Sequence, residues 1–73
     1  MPDLAKLRKR SGMSQFLCAQ LAGISRMRLS LAETGQVRLT AVEESAVRRV
    51  VREFIAVKTR ELALLQQGSG LSV

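Results

Sequence analysis

Residues 14–35 read SQFLCAQLAGISRMRLSLAETG, and a single glycine, Gly23, divides them into two stretches with helical spacing. Apolar residues at Cys18, Ala22, Ile24, Leu29 and Ala32 fall on one face of each stretch. Two short helices that cross steeply over a turn of about three or four residues come very close, so a bulky residue at the crossing would push them apart. Ala19, four positions before Gly23, is small enough for that place. The turn needs a residue that tolerates left-handed backbone, which Gly23 supplies. Ser14 and Ser25 stand where each can cap the following helix by accepting from a free amide N–H. Leu29, four residues after Ser25, points back into the core.

This set of constraints describes a helix-turn-helix, the motif that lays its second helix in a DNA major groove. The plainer alternative is a helical hairpin in a small bundle, with Gly23 as an ordinary helix end. Charge weighs between them. The chain has 73 residues, hence one domain, and a net charge of +6. So basic a small domain suits a polyanionic partner, either nucleic acid or an anionic membrane surface, and the helix-turn-helix spacing favours nucleic acid.

The chain has one cysteine and no histidine, so neither an intrachain disulfide nor a Cys/His metal site is expected, and no cofactor is implied. Cys18 falls on the inner face of its helix and reads as a small core residue. The start of the chain has no apolar run of the secretory kind, and unbroken apolar stretches reach only four residues, as at Phe54–Val57 and Leu62–Leu65. A cytoplasmic protein without a membrane span is the expectation. With no Trp or Tyr, and with Phe16 and Phe54 as the two aromatic residues, base stacking on single strands is not expected.

The spacing predicts an all-α fold of three short helices and a long fourth. Asp3 is placed to cap a first helix over about 4–10, with Leu4 and Leu7 inward and Gly12 ending it. The second and third helices cover about 15–22 and 25–33, with Gly35 closing the third. Thr40-Ala-Val-Glu43 is a capping box. From there to Gln67 no Gly or Pro intervenes, which predicts one helix over about 40–67, roughly 40 Å long. Residues 68–73, GSGLSV, read as a disordered tail.

The fourth helix outruns the core. Val47, Val50, Phe54, Val57 and Leu64 keep alternating three- and four-residue spacing, with Val51, Ile55, Leu62 and Leu65 beside them. Residues 42–51 can cover the other helices, but Ile55, Leu62, Leu64 and Leu65 extend past them. Apolar surface on that scale marks an interface. A dimerisation helix is the expectation, with Phe54, Ile55, Leu62 and Leu65 at the interface, against the alternative that the chain bends back and buries the stripe internally.

Residues 4–51 closely resemble the phage-repressor family, the Cro-like or xenobiotic-response-element class of helix-turn-helix proteins. The matching residues are Leu7, Arg8, Ser14-Gln15, Ala19, Gly23-Ile24-Ser25, Leu29-Ser30, Glu33 and Gly35. The resemblance implies a compact, lambda-repressor-like helical domain that reads operator DNA as a dimer through its third helix. By position it implies that Arg26, Met27 and Leu31 face base edges and that Gln15, Ser25, Arg28, Ser30 and Arg38 lie near the DNA backbone. Glu33 is more often structural in such proteins. Four residues depart from the family pattern, Phe16, Leu17, Cys18 and Leu21. Leu17 and Leu21 share a helix face that is usually wet, either as a further contact surface, for instance for the long helix of a partner subunit, or through simple drift. The family's usual fifth helix is missing, so its dimer geometry does not carry over.

Arg26, in the first turn of the third helix, has a guanidinium able to hold guanine O6 and N7 with two bonds; phosphate contact and a solvated side chain are the competing readings. Met27 and Leu31 can only press on a thymine methyl or fill space, so part of any specificity falls to DNA shape. The expected function is therefore a homodimeric, sequence-specific regulator of double-stranded DNA. The competing class is a DNA-binding antitoxin or interaction module whose long apolar helix takes a partner protein. No catalytic residues are identified, and an enzyme is not expected.

Overall fold

The computed structural model describes the backbone of residues 2–71 and the side chains of residues 3–66. Over these residues the chain is all-α: α1 (Pro2–Ser11), α2 (Gln15–Ala22), α3 (Arg26–Glu33) and α4 (Ala41–Leu71). α1 begins two residues earlier than the spacing predicts. Proline suits a first helical position, because its fixed φ is already helical and its missing N–H would have had no partner there. Asp3 consequently lies inside the first turn rather than ahead of it, where its charge favours the helix dipole instead of capping.

α2 and α3 form as expected, and their ends are chemically specified. The Ser14 hydroxyl accepts the Leu17 N–H at 3.1 Å, and the Ser25 hydroxyl accepts the Arg28 N–H at 3.0 Å. Between the helices, Gly23 has φ +77°. Its N–H donates to Gln20 O, and the Ile24 N–H reaches back to Ala19 O at 3.0 Å, which satisfies two carbonyls the helix would otherwise leave open. A β-carbon at Gly23 would meet nothing within 4 Å, so glycine is needed here for its backbone angle and not for space. The small residue required by packing is Ala19, 2% exposed beneath the turn.

The core is Leu4, Met13, Cys18, Ala19, Leu29, Ala32, Leu39, Val47, Val50 and Val51, with Leu7, Ala22, Ile24, Phe54 and Ile55 partly buried against it. Every fully buried member lies between residues 4 and 51. α4 supplies one wall, packing on α1 and α2, while α3 packs on α1 and α2. The capping box forms reciprocally: Glu43 N–H donates to Thr40 Oγ1 at 3.1 Å and Thr40 N–H to Glu43 Oε1 at 2.8 Å.

α4 then leaves the core. It continues for 20 residues past Val51, roughly 30 Å at the standard rise, giving a molecule of 52 × 18 × 17 Å. The helix does not fold back, so the internal burial of its apolar stripe does not occur. One further tie holds it: Lys58 Nζ donates to Ser11 O, at the C-terminus of α1, at 3.2 Å and sits 5.8 Å from the Phe54 ring centre. The helix also passes the end predicted at Gln67 and includes Gly68–Leu71, so the tail expected over 68–73 does not begin at Gly68. Two glycines weaken a helix by only about 1 kcal/mol each, whereas proline would stop it. Ser72 and Val73 lie outside the described residues. No described helix is long and apolar enough to cross a membrane.

Candidate nucleic-acid interface

α3 is held by its inner face. Leu29 and Ala32 are buried, which turns the opposite face outward with Arg26, Met27, Ser30, Leu31 and Thr34 along it. Arg26 is exposed and Met27 is 73% exposed, whereas Ser30 and Leu31 are half-buried at the foot of the same face. Arg38 is exposed in the connection that follows. The hydroxyl of Ser25 is engaged as the α3 cap.

Two ion pairs set the pose of α3. The first joins its N-terminal half to α4. Arg28 donates through Nε to Glu43 Oε2 at 2.7 Å and through Nη2 to Glu43 Oε1 at 2.8 Å, a two-pronged grip on the carboxylate that also caps α4. The Arg28 bond and then the Thr40 N–H hold the Glu43 carboxyl down from its ordinary 4.5 to about 2. Arg28, which the family resemblance puts near phosphates, is thus a strap between α3 and α4 in the free protein.

The second pair is interior. Arg8 is 7% exposed, and all three nitrogens of its guanidinium are engaged: Nε with Glu33 Oε2 at 2.6 Å, Nη2 with Glu33 Oε1 at 2.9 Å, and Nη1 with the Met13 carbonyl at 2.8 Å. The Gln15 side chain donates to the same Glu33 Oε1 at 2.9 Å. Burial alone would raise the Glu33 carboxyl, but the bonds from Arg8 and Gln15 outweigh it and hold the group below its ordinary range. The hydrogen bond to Glu33 raises Arg8 in turn. One carboxylate at the end of α3 therefore fixes α1, the α1–α2 connection and the start of α2. Gln15, read as a DNA-backbone residue, has its amide turned to Glu33 in the free protein.

Arg8 was legible in the sequence as a cation on α1, but its burial follows from a weaker signal. It lies four residues after Leu4 and three before Ser11, both buried, and so on the inner stripe of α1. The remaining expected positions separate cleanly. Arg26 and Arg38 are exposed and make no ion pair among the described residues, whereas Arg8, Arg28 and Arg48 are paired with Glu33, Glu43 and Glu44. Of the residues expected at a dimer interface, Phe54 and Ile55 are partly spent on the chain's own core, while Leu62 and Leu65 are 55% and 67% exposed.

Compared with known proteins, the chain matches no family model, no curated protein and no solved structure, so its likeness to the phage-repressor class stands on the residues named above.

Proposed function

We propose that this protein is a cytoplasmic, sequence-specific regulator that binds double-stranded DNA as a homodimer and inserts α3 into the major groove. The observation that carries the reading is the outward face of α3. It presents Arg26 and Met27 to solvent with no hydrogen-bond or ion-pair partner for Arg26 among the described residues, on a helix short enough to fit the groove and fixed from behind by Leu29, Ala32 and the Arg28–Glu43 strap. Arg26 is the base reader, through a two-bonded contact to guanine, and Met27 and Leu31 provide apolar contact. Ser30 and Arg38 meet the DNA backbone beside that face, while Gln15, Ser25 and Arg28, bonded to Glu33, the α3 amide and Glu43, hold the helix in place. The role is binding, not catalysis.

Selection of bound sites from random duplex DNA tests this. The expected product is a two-fold sequence with half-sites about 34 Å apart, one helical turn. Failure to enrich any duplex sequence rejects the reading. A second reading, an antitoxin or interaction module, is favoured by one observation: Leu62, Leu64 and Leu65 remain exposed beyond the core. A stoichiometric second protein on purification from the native host would support it, and recovery of the chain alone would not.

A further inference from the structure

A groove of about 330 Å³ runs between α2 and α4, floored by Leu21, Val50, Phe54 and Val57 and rimmed by Arg49 and Glu53. Leu21 is 58% exposed although it faces this groove, and Leu17, one turn earlier on α2, is also exposed. Further along α4, Val57, Leu64 and Leu65 are exposed on the same side, with Glu61 between them. Along this seam Val50, Phe54, Val57, Glu61 and Leu64 alternate by four and three residues, the spacing of a helix-pairing surface. Arg49, Glu53, Arg60 and Glu61 make no hydrogen bond or ion pair among the described residues.

We propose that this groove receives α4 of a second copy, running antiparallel and crossing between residues 55 and 56, and that this crossing sets the spacing of the two α3 helices. The inference rests on the homodimer reading above and specifies its geometry. Three observations select the occupant and its direction.

The surface is self-complementary, as a two-fold interface requires. Each copy offers an apolar groove at Leu21, Phe54 and Val57, and the antiparallel crossing sets Phe54 and Val57 of one copy level with Val57 and Phe54 of the other.

Charge fixes the direction. Glu61 occupies the seam, and a carboxylate placed there unpaired carries a large desolvation cost. A parallel, in-register pair sets Glu61 against Glu61. The antiparallel crossing instead brings Glu61 of one copy level with Val50 of the other, one residue from Arg49. It also brings Arg60 within two residues of the level of Glu53. Cations and carboxylates unpaired in the single chain thereby pair across the interface.

The third observation is the spacing. The Arg28–Glu43 bond pins the first turn of α3 at the level of Glu43. From there to the crossing is about 12 residues, so two copies place their α3 helices about 37 Å apart along the shared axis, close to one turn of DNA. A parallel pair holds them at the same level.

The test uses the full chain with nitroxide labels, since native Cys18 is fully buried and does not compete. Ser45→Cys and Gln66→Cys are labelled singly, and dimers are also formed from a mixture of the two. Both positions lie on the side of α4 away from the seam, so pulsed EPR is expected to give same-residue separations longer than the mixed separation by about 10 Å or more, from an axial offset of about 31 Å. Same-residue separations shorter than the mixed one in a dimer overturn the antiparallel geometry while leaving the dimer and the DNA reading intact. A monomer by sedimentation overturns both this inference and the dimer. Charge reversal is the second arm. Arg49→Glu and Glu61→Arg are each expected to weaken the dimer about tenfold, and the double variant to return to within about threefold of the parent. In a parallel pair these residues lie about 18 Å apart and no rescue follows, which overturns the proposal. An antiparallel dimer that selects no DNA sequence supports this packing and rejects the regulator.

Discussion

At the residue scale the arginines divide by what lies behind them. Arg26 and Arg38 are exposed and make no ion pair among the described residues, while Arg8 and Arg28 are committed to carboxylates. Replacing Arg26 by alanine is expected to cost about 1–3 kcal/mol at the best site and to relax preference at one base pair, measured by binding to every single-base variant of a selected site. An unchanged base preference would remove Arg26 as a reader. The interior pair predicts a different phenotype. Glu33→Ala strands the Arg8 charge and is expected to cost about 3–5 kcal/mol in urea unfolding, whereas Arg8→Met with Glu33→Met recovers most of it. The same carboxylate makes the fold acid-sensitive. Glu33 and Glu43 are both held below their ordinary values. Above the ordinary range, folded and unfolded forms are alike ionised and the stabilisation is complete. It disappears as pH falls through the folded values, for Glu43 down to about 2. Stability measured from pH 6 downward is thus expected to decline below about pH 4.5, and to decline less steeply in the double variant.

At the element scale, short helices with defined ends do the positioning. α2 and α3 have 8 residues each, too short to persist alone, so caps and burial must hold them. Gly23 is the critical end. Alanine there meets no atom but must adopt φ +77°, so Gly23→Ala is expected to destabilise by about 1 kcal/mol or more and to weaken DNA binding with it. Equal thermal stability of the two proteins would show that the turn relaxes to another conformation. α4 is the opposite kind of element. Its first turns are fixed by the Thr40–Glu43 box and the core, its middle by Lys58 on the end of α1, and its remainder by no ion pair or side-chain hydrogen bond to another helix among the described residues.

At the scale of the molecule, a core drawn wholly from residues 4–51 carries a helix that runs on to Leu71. A net charge of +6, with most cations outside internal ion pairs, predicts that DNA affinity falls steeply with salt. If six phosphates are neutralised, affinity should fall by roughly a thousandfold between 50 and 200 mM salt, read by titration at several ionic strengths. A flat response would count against the DNA assignment.

The helices themselves were legible in the residues because their signals are local. Ser14, Gly23, Ser25, Gly35 and the Thr40–Glu43 box each act on backbone groups within a few positions, and apolar spacing names the inner faces. The long α4 was legible for the same reason, although its end was placed too early because glycine lowers helix stability without forbidding it. What contacts between distant segments settled was the fate of the charges. Arg8 and Glu33 are 25 residues apart, and Arg28 and Glu43 are 15 apart. Whether a cation is a free DNA contact or an internal strap depends on which carboxylate the fold carries to it, and local periodicity holds no record of that distance.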